Sequence, residues 1–420
     1  MTLGQHLAGT GAPTGQRIGP EWLFHALLFL PSLVMVGLRQ SSMAAGLLLY
    51  LVLLCLYLLA QNAHKPWQMS VASLRPIVLT AAFLLGFVFF HAWALLGVGV
   101  QFNAGRFFGG FFVFLGMVLG AACVAECLVR LPAGLLDVWV RRALWFMLAN
   151  ALLGLLGVPL FAHTTHKPVG MFSEPSHFAL VLGPLLAYVC ALRLRHHGAI
   201  LVAAFLWGLL VQNMTTVVLV LLCGALVFGL NWRMVLVPVV LGAVAVSLDV
   251  EYFLARVMIS GDSDNQSVLV LLQGWESAFI LMDKTHGWGA GFQQFGFVDA
   301  VGDIGARISS SGEDGLNKFD GGSTAAKLVG EFGGFGIVVL VAYLLYFLRA
   351  LLLLRRARVR PSAANPGDVL LTACLYVFIV ELFVRGVGYF SPTLFLALAA
   401  AMRLPAAWGQ VFRHRRRAGP

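Results

Sequence analysis

FFGGFFVFLGMVLGAACVAECL, residues 107–128, contains a single charged residue, Glu126. A helix of about 20 apolar residues is long enough to cross the hydrocarbon core of a bilayer. The stretch is rich in Leu, Phe and Gly and does not alternate apolar with polar positions. It therefore reads as a membrane helix and not as a strand of an outer-membrane barrel. Comparable runs lie on either side, at 22–38, 43–60, 77–97, 143–162, 175–192, 199–211, 215–230, 234–250, 325–348, 369–384 and 390–402. Together they predict about twelve transmembrane helices. If 199–211 and 215–230 form one kinked helix, the number is eleven. Of the 420 residues, 60% are hydrophobic and 11% charged, with mean hydropathy +0.88. An ordinary soluble domain carries roughly 25% charged residues. The composition excludes a water-soluble fold and predicts an all-α polytopic integral membrane protein.

Charge predicts the orientation. With the N-terminus assigned to the cytoplasm, the inner loops of a twelve-span chain hold 19 of the 28 basic residues. The positive-inside rule favours this arrangement, with both termini cytoplasmic. It also accounts for the net charge of +10 without nucleic acid. The basic run RHRRR (413–417) suits contact with anionic membrane lipid. Three regions follow: an N-terminal bundle (1–250), a large outer loop (251–324), and C-terminal helices with a basic cytoplasmic tail (325–420). The loop holds ten acidic residues against four basic ones. Within it, VLVLLQGWESAFILM (268–282) suits an amphipathic helix lying at the interface. The first 21 residues lack the charged start and short apolar core of a cleavable signal, so the first span is expected to be uncleaved. The six cysteines all fall inside apolar runs, which predicts buried thiols and neither a disulfide framework nor a zinc site.

Two constellations carry chemistry. The first is FSEPSHF (172–178). Ser173 or Glu174 can cap a helix whose first turn holds Pro175. His177 lies three residues beyond Glu174, on the same face. A helix cap with an interfacial His is the plain reading. A general base with an orienting partner is the chemical one. The second is a set of arginines on the outer side, against the charge bias: Arg256, Arg307 and Arg385. Arginine binds phosphate with two parallel hydrogen bonds and does not lose its charge. GWGAGFQQFG (287–296) has no strand before it and no Lys-Ser/Thr pair after it, so it reads as a flexible loop near a site and not as a nucleotide loop. The N-glycosylation patterns at Asn213 and Asn265 read as chance. The pairs His163/His166 and His196/His197 lack the partners of a metal site. Glu126 and Glu381, in or near apolar spans, are what a proton-coupled carrier would need.

FSEPSHFAL (172–180) resembles the signature of one branch of the bacterial O-antigen polymerases, the membrane enzymes that join polysaccharide repeat units. GGSTAAKLVGEFGGFGIVVL (321–340) is similar to the family's Gly-rich late span. RGVGYFSP (385–392) looks like its final outer turn. The order of elements also resembles the family along nearly the whole chain, including two helices split by Asn-Met-Thr-Thr. O-antigen ligases, in the same superfamily, ordinarily carry a His-Asn pair before the Gly-rich span; here residues 319–323 read FDGGS, which argues against a ligase. The polymerases tend to carry an Arg in the amphipathic part of the loop, where this chain has Gln273.

The resemblance implies a GT-C-like glycosyltransferase architecture in the bacterial inner membrane. The implied substrates are undecaprenyl-pyrophosphate-linked oligosaccharides at the periplasmic face, with no nucleotide sugar, cofactor or metal. A chain-length regulator is a further implied partner. Glu174 is the expected base with His177 orienting it, and the exchanged roles stay open. Arg256, Arg307 and Arg385 are expected to hold the pyrophosphate, with Lys167 and Lys318 assisting. Trp275 or Trp288 can stack on sugar rings, Asp314 in the acidic loop can bond sugar hydroxyls, and Tyr389 is a site neighbour. A ligase or other lipid-linked glycan transferase is the alternative. A transporter or flippase is the second.

Overall fold

The computed structural model describes residues 21–64, 71–99, 102–158, 160–161, 169–229, 265–310 and 319–403. The expected span at 234–250 lies outside them. In chain order the helices are α1 (Glu21–Gly37), α2 (Ala44–His64), α3 (Val71–Val98), α4 (Ala104–Arg130), α5 (Ala133–Leu155), α6 (Pro175–Ala191), α7 (His197–Leu210), α8 (Met214–Phe228), α9 (Gln266–Lys284), α10 (Asp303–Ser310), α11 (Thr324–Val359), α12 (Pro366–Phe383) and α13 (Pro392–Arg403). No strand occurs among the described residues, only an isolated bridge between Val169 and Phe172. α2, α3, α4, α5, α11 and α12 are long and apolar enough to cross a membrane, and α1, α6, α7, α8 and α13 are shorter apolar helices. Phe83, Trp93, Phe112 and Trp145 are exposed on the outside of the bundle. So large an apolar surface marks a membrane-embedded protein.

α6 and α12 form the centre. Every residue of α6 from Phe178 to Ala191 is buried, as expected for a helix that is apolar on all sides. Gly183 lets the neighbours close in: a Cβ there would lie 2.7 Å from Leu219 of α8 and 3.4 Å from Val377 of α12. At the far end from Glu174, Arg358 donates to the carbonyl of Cys190 and pairs with His197 at 3.4 Å.

Two expectations need correction, and one alternative is settled. The fifth span runs over 133–155, not 143–162. Pro132 sets the start, and the charged residues that hydropathy excluded find partners: Arg142 bonds Glu21 at 2.7 Å and Asp137 accepts from Tyr188 at 2.6 Å. Residues 199–211 and 215–230 form two helices, as the twelve-span reading expects, and not one kinked helix. Gln212 adopts φ 53, and Asn213 caps α8 by accepting from the Thr215 N–H at 3.1 Å. The span expected at 325–348 extends over 324–359 and is broken at Gly333, which adopts φ 55.

GWGAGFQQFG is built into that break. Ala290 N–H donates to Gly330 O (2.8 Å), Gly291 N–H to Glu331 O (2.7 Å) and Gly334 N–H to Gly287 O (2.9 Å). Backbone groups freed by the broken helix are thus satisfied by the loop. Residues 289–295 are buried. Glycine does permit close approach here, but to α11.

Candidate functional site

Residues 172–178, 319–327 and 385–391, separated in sequence, meet at one end of the bundle. The first stretch is set by a tight turn at Gly170, φ 57, across which Val169 and Phe172 exchange backbone hydrogen bonds of 3.4 and 3.0 Å. Asn150 of α5 accepts from Met171 N–H at 3.0 Å. Phe172 is fully buried, edge-on to Phe178 at 5.6 Å, and Phe178 packs on Trp207 at 4.5 Å. Trp207 in turn donates to Ala151 O at 2.9 Å. These contacts lock α5, α6 and α7 around the motif. The turn between α7 and α8 also arrives here, since Asn213 donates to Pro175 O at 2.6 Å. Asn213 is buried and used, which removes it as a glycan acceptor.

Pro175 opens α6 as expected. Glu174 occupies the capping position, yet its side chain makes no capping bond. It turns instead to Arg385 and His177. Arg385 reaches Oε1 with Nη2 at 2.7 Å and Nε at 3.2 Å, and His177 Nε2 lies 3.1 Å from the same oxygen. The other imidazole nitrogen, Nδ1, is 2.8 Å from Ser173 Oγ. Burial pushes the Glu174 carboxyl up, but the charges of His177 and Arg385 outweigh it and hold its pKa at about 2. The side chain of Glu174 is 34% exposed and that of His177 11%.

The RGVGYF turn lies across the start of α11. Gly386 N–H donates to Gly322 O at 3.0 Å, and a Cβ on Gly388, φ 77, would sit 2.7 Å from Asp320 Oδ1. Asp320 faces Lys327, whose Nζ is 3.4 Å away and donates to Phe319 O at 2.6 Å. Lys327 is only 2% exposed. One helical turn on, Glu331 is fully buried and accepts from Phe295 N–H at 3.2 Å. Tyr389 stacks on Phe292 at 5.8 Å and lies 5.3 Å under Lys327 Nζ. Burial and the neighbouring Glu331 carboxylate push its phenol well up, so it stays protonated. Arg106, at the start of α4, lies over the rings of Phe297 (4.6 Å) and Phe319 (4.5 Å) and donates to Gln293 O at 3.3 Å. The Asp320 carboxylate is near enough to act on both Arg106 and His177 through its charge.

Of the residues singled out from sequence, Glu174, His177 and Arg385 come together and Tyr389 lies beside Lys327. Arg307 is half-buried on α10, which packs along α9 through Ile308 against Leu269 and Val270. Trp288 goes elsewhere: its carbonyl accepts from His91 at 2.8 Å and its ring packs on Phe335 at 5.8 Å, joining α3 to α11. Trp275 stacks on Phe279 at 5.9 Å. Lys167, Arg256, Asp314 and Lys318 lie outside the described residues.

Sequence reasoning did not assign Arg106, Asp320 or Lys327 to the site. A signal existed for the two cations, which are among the nine basic residues outside the inner loops. Glu126 and Glu381 prove to be paired locally. Glu126 bonds Arg130 (3.1 Å) and Arg403 (2.8 Å), and Glu381 accepts from Ser391 (2.7 Å) and Thr393 at the start of α13. No family model, curated protein or solved structure matches this chain.

Proposed function

We propose that the chain is a membrane glycosyltransferase of GT-C-like architecture that polymerises undecaprenyl-pyrophosphate-linked repeat units. The growing glycan leaves its lipid pyrophosphate and joins a sugar hydroxyl of the next lipid-linked unit, at the periplasmic face of a bacterial inner membrane. The observation that carries this reading is the convergence of Ser173, Glu174, His177 and Arg385 with Asp320 and Lys327 at one end of the bundle. The motifs that resemble the polymerase family are the segments that meet there.

The roles follow from the geometry. A carboxylate with a pKa of about 2 is a weak proton acceptor near neutral pH. Glu174 therefore orients His177 and stabilises its charged form, and His177 is the base. The departing pyrophosphate gathers negative charge, which fixed cations stabilise. Arg385, Arg106 and Lys327 are the cations proposed for this, and Arg256, Arg307, Lys167 and Lys318 are further cations of the proposal. The exposed rings of Phe297 and Phe319 beside Arg106 offer an apolar platform for a sugar face. The polyprenyl tail finds an apolar surface along the bundle. A chain-length regulator is a proposed partner.

The transporter alternative drew on Glu126 and Glu381, and both have local structural partners. The test is reconstitution in nanodiscs with lipid-pyrophosphate repeat units and no other acceptor. A ladder of lengthening glycans supports a polymerase. Product formed only when a lipid A core acceptor is added would indicate a ligase.

A further inference from the structure

The sequence suggests only a capping role for Ser173, but in the structure its hydroxyl is turned to the imidazole of His177 at 2.8 Å. We propose that Ser173 is the proton relay of this site, taking the proton of the acceptor sugar hydroxyl while passing its own to Nδ1 of His177. The proposal rests on the transferase reading above and adds the route of the proton.

Both imidazole nitrogens are engaged, Nε2 by Glu174 at 3.1 Å and Nδ1 by Ser173 at 2.8 Å. An incoming hydroxyl therefore meets no free nitrogen. Glu174 is ionised near neutral pH, so Nε2 of a neutral His177 carries the proton in order to donate to it. Nδ1 is then the acceptor, and the Ser173 O–H is its donor. A serine oxygen has two lone pairs. With its proton committed to Nδ1, it can still accept from a second hydroxyl. Ser173 is half-buried and so keeps part of its surface open, and the His177 side chain is 11% exposed.

In the step, the acceptor oxygen bonds to the anomeric carbon as the bond from that carbon to the pyrophosphate oxygen breaks. The electron pair of that bond leaves with the lipid pyrophosphate. The acceptor proton passes to Ser173 Oγ and the Ser173 proton to Nδ1. His177 becomes an imidazolium held by Glu174, and returns its proton to water through Ser173. The other charged groups acting on His177 are Arg385 and Asp320.

The experiment uses the full chain in nanodiscs with lipid-pyrophosphate-linked oligosaccharide extracted from the source cells. Ser173→Ala is expected to lower the extension kcat by about 100-fold or more with KM unchanged. Ser173→Thr, which keeps a hydroxyl, is expected within about tenfold of wild type. Without substrate, His177 is expected to react faster with diethyl pyrocarbonate in Ser173→Ala, read on its own peptide, because Nδ1 loses its cover. An alanine variant extending at the wild-type rate, beside an inactive His177→Ala, would overturn the relay and leave the transferase reading standing. A glycosyl adduct on Ser173 after rapid quench would overturn it in favour of a nucleophile. Failure of the wild type to extend would overturn the transferase reading itself.

Discussion

Arg385 closes on Glu174 across 211 residues of sequence, placing Nη2 at 2.7 Å and Nε at 3.2 Å from one carboxylate oxygen. The contact joins the end of α12 to the start of α6, the two helices at the centre of the bundle. It also uses the charge of Arg385 to position a group that orients His177. Structure and proposed chemistry therefore depend on the same pair.

Arg385→Ala leaves a partly buried carboxylate with His177 and Ser176 beside it. Loss of a hydrogen bond to a charged group costs about 1.5–3 kcal/mol. Because Glu174 is a third exposed, the lower end is expected. The predicted outcome is a lower Tm in detergent together with an extension rate reduced about 100-fold. Arg385→Lys should recover Tm more fully than rate, since an ammonium cannot reproduce two parallel donors.

Glu174 gives stability a defined acid limit. Its pKa lies at about 2 in the folded chain against an ordinary carboxyl value of 4.5. A carboxylate depressed on folding contributes stability that is complete above the unfolded value and is lost as pH falls toward the folded one. Melting curves of the wild type should therefore lose Tm between about pH 4.5 and 2. Glu174→Gln should show a smaller drop across that window, from a lower starting Tm.

The helix break yields a paired prediction. Gly333 has φ 55, and a Cβ there would collide with the carbonyl of Gly287. At Gly334, next in sequence, the nearest contact of a Cβ is that same carbonyl at 3.8 Å, an ordinary distance. Left-handed backbone alone costs a non-glycine residue roughly 1–2 kcal/mol. Gly333→Ala should lower Tm in detergent by several degrees, and Gly334→Ala should leave it near wild type.

The orientation can be read with two single cysteines in a chain whose native cysteines have been replaced. Ser309 is exposed on α10, at the site end, and Ser362 is exposed between α11 and α12, at the arginine-rich end. An impermeant maleimide should label Ser309→Cys in intact spheroplasts. It should label Ser362→Cys only after the membrane is opened.

Hydropathy located most helices because a membrane helix must be apolar along its length; residues 107–128 fall inside α4 with three and two residues to spare. It failed at α5, where Asp137, Arg141 and Arg142 are part of the helix: Asp137 and Arg142 are satisfied from other elements, and Arg141 donates to the Asp137 carbonyl one turn back. The break at Gly333 was not legible because its hydrogen-bond partners come from residues 287–291, in a different segment. Glu174 and His177 were legible because they share one helical turn. Ser173 is equally local, but sequence spacing does not fix which way its hydroxyl turns, and here it faces Nδ1 of His177. The adjacency of Lys327 to Asp320, Tyr389 and the RGVGYF turn is tertiary, so neither its burial nor its neighbours could be read from sequence.

The central claim is glycosyl transfer at the Ser173–His177–Glu174–Arg385 cluster. Its most direct measurement is a single-turnover count of undecaprenyl pyrophosphate released per glycosidic bond formed, in nanodiscs holding wild type, Glu174→Gln or His177→Ala. The account predicts one lipid pyrophosphate per added unit in the wild type, and rates lower by about 100-fold or more in both folded variants. Bond formation without lipid pyrophosphate release, or variants extending at the wild-type rate, would contradict it.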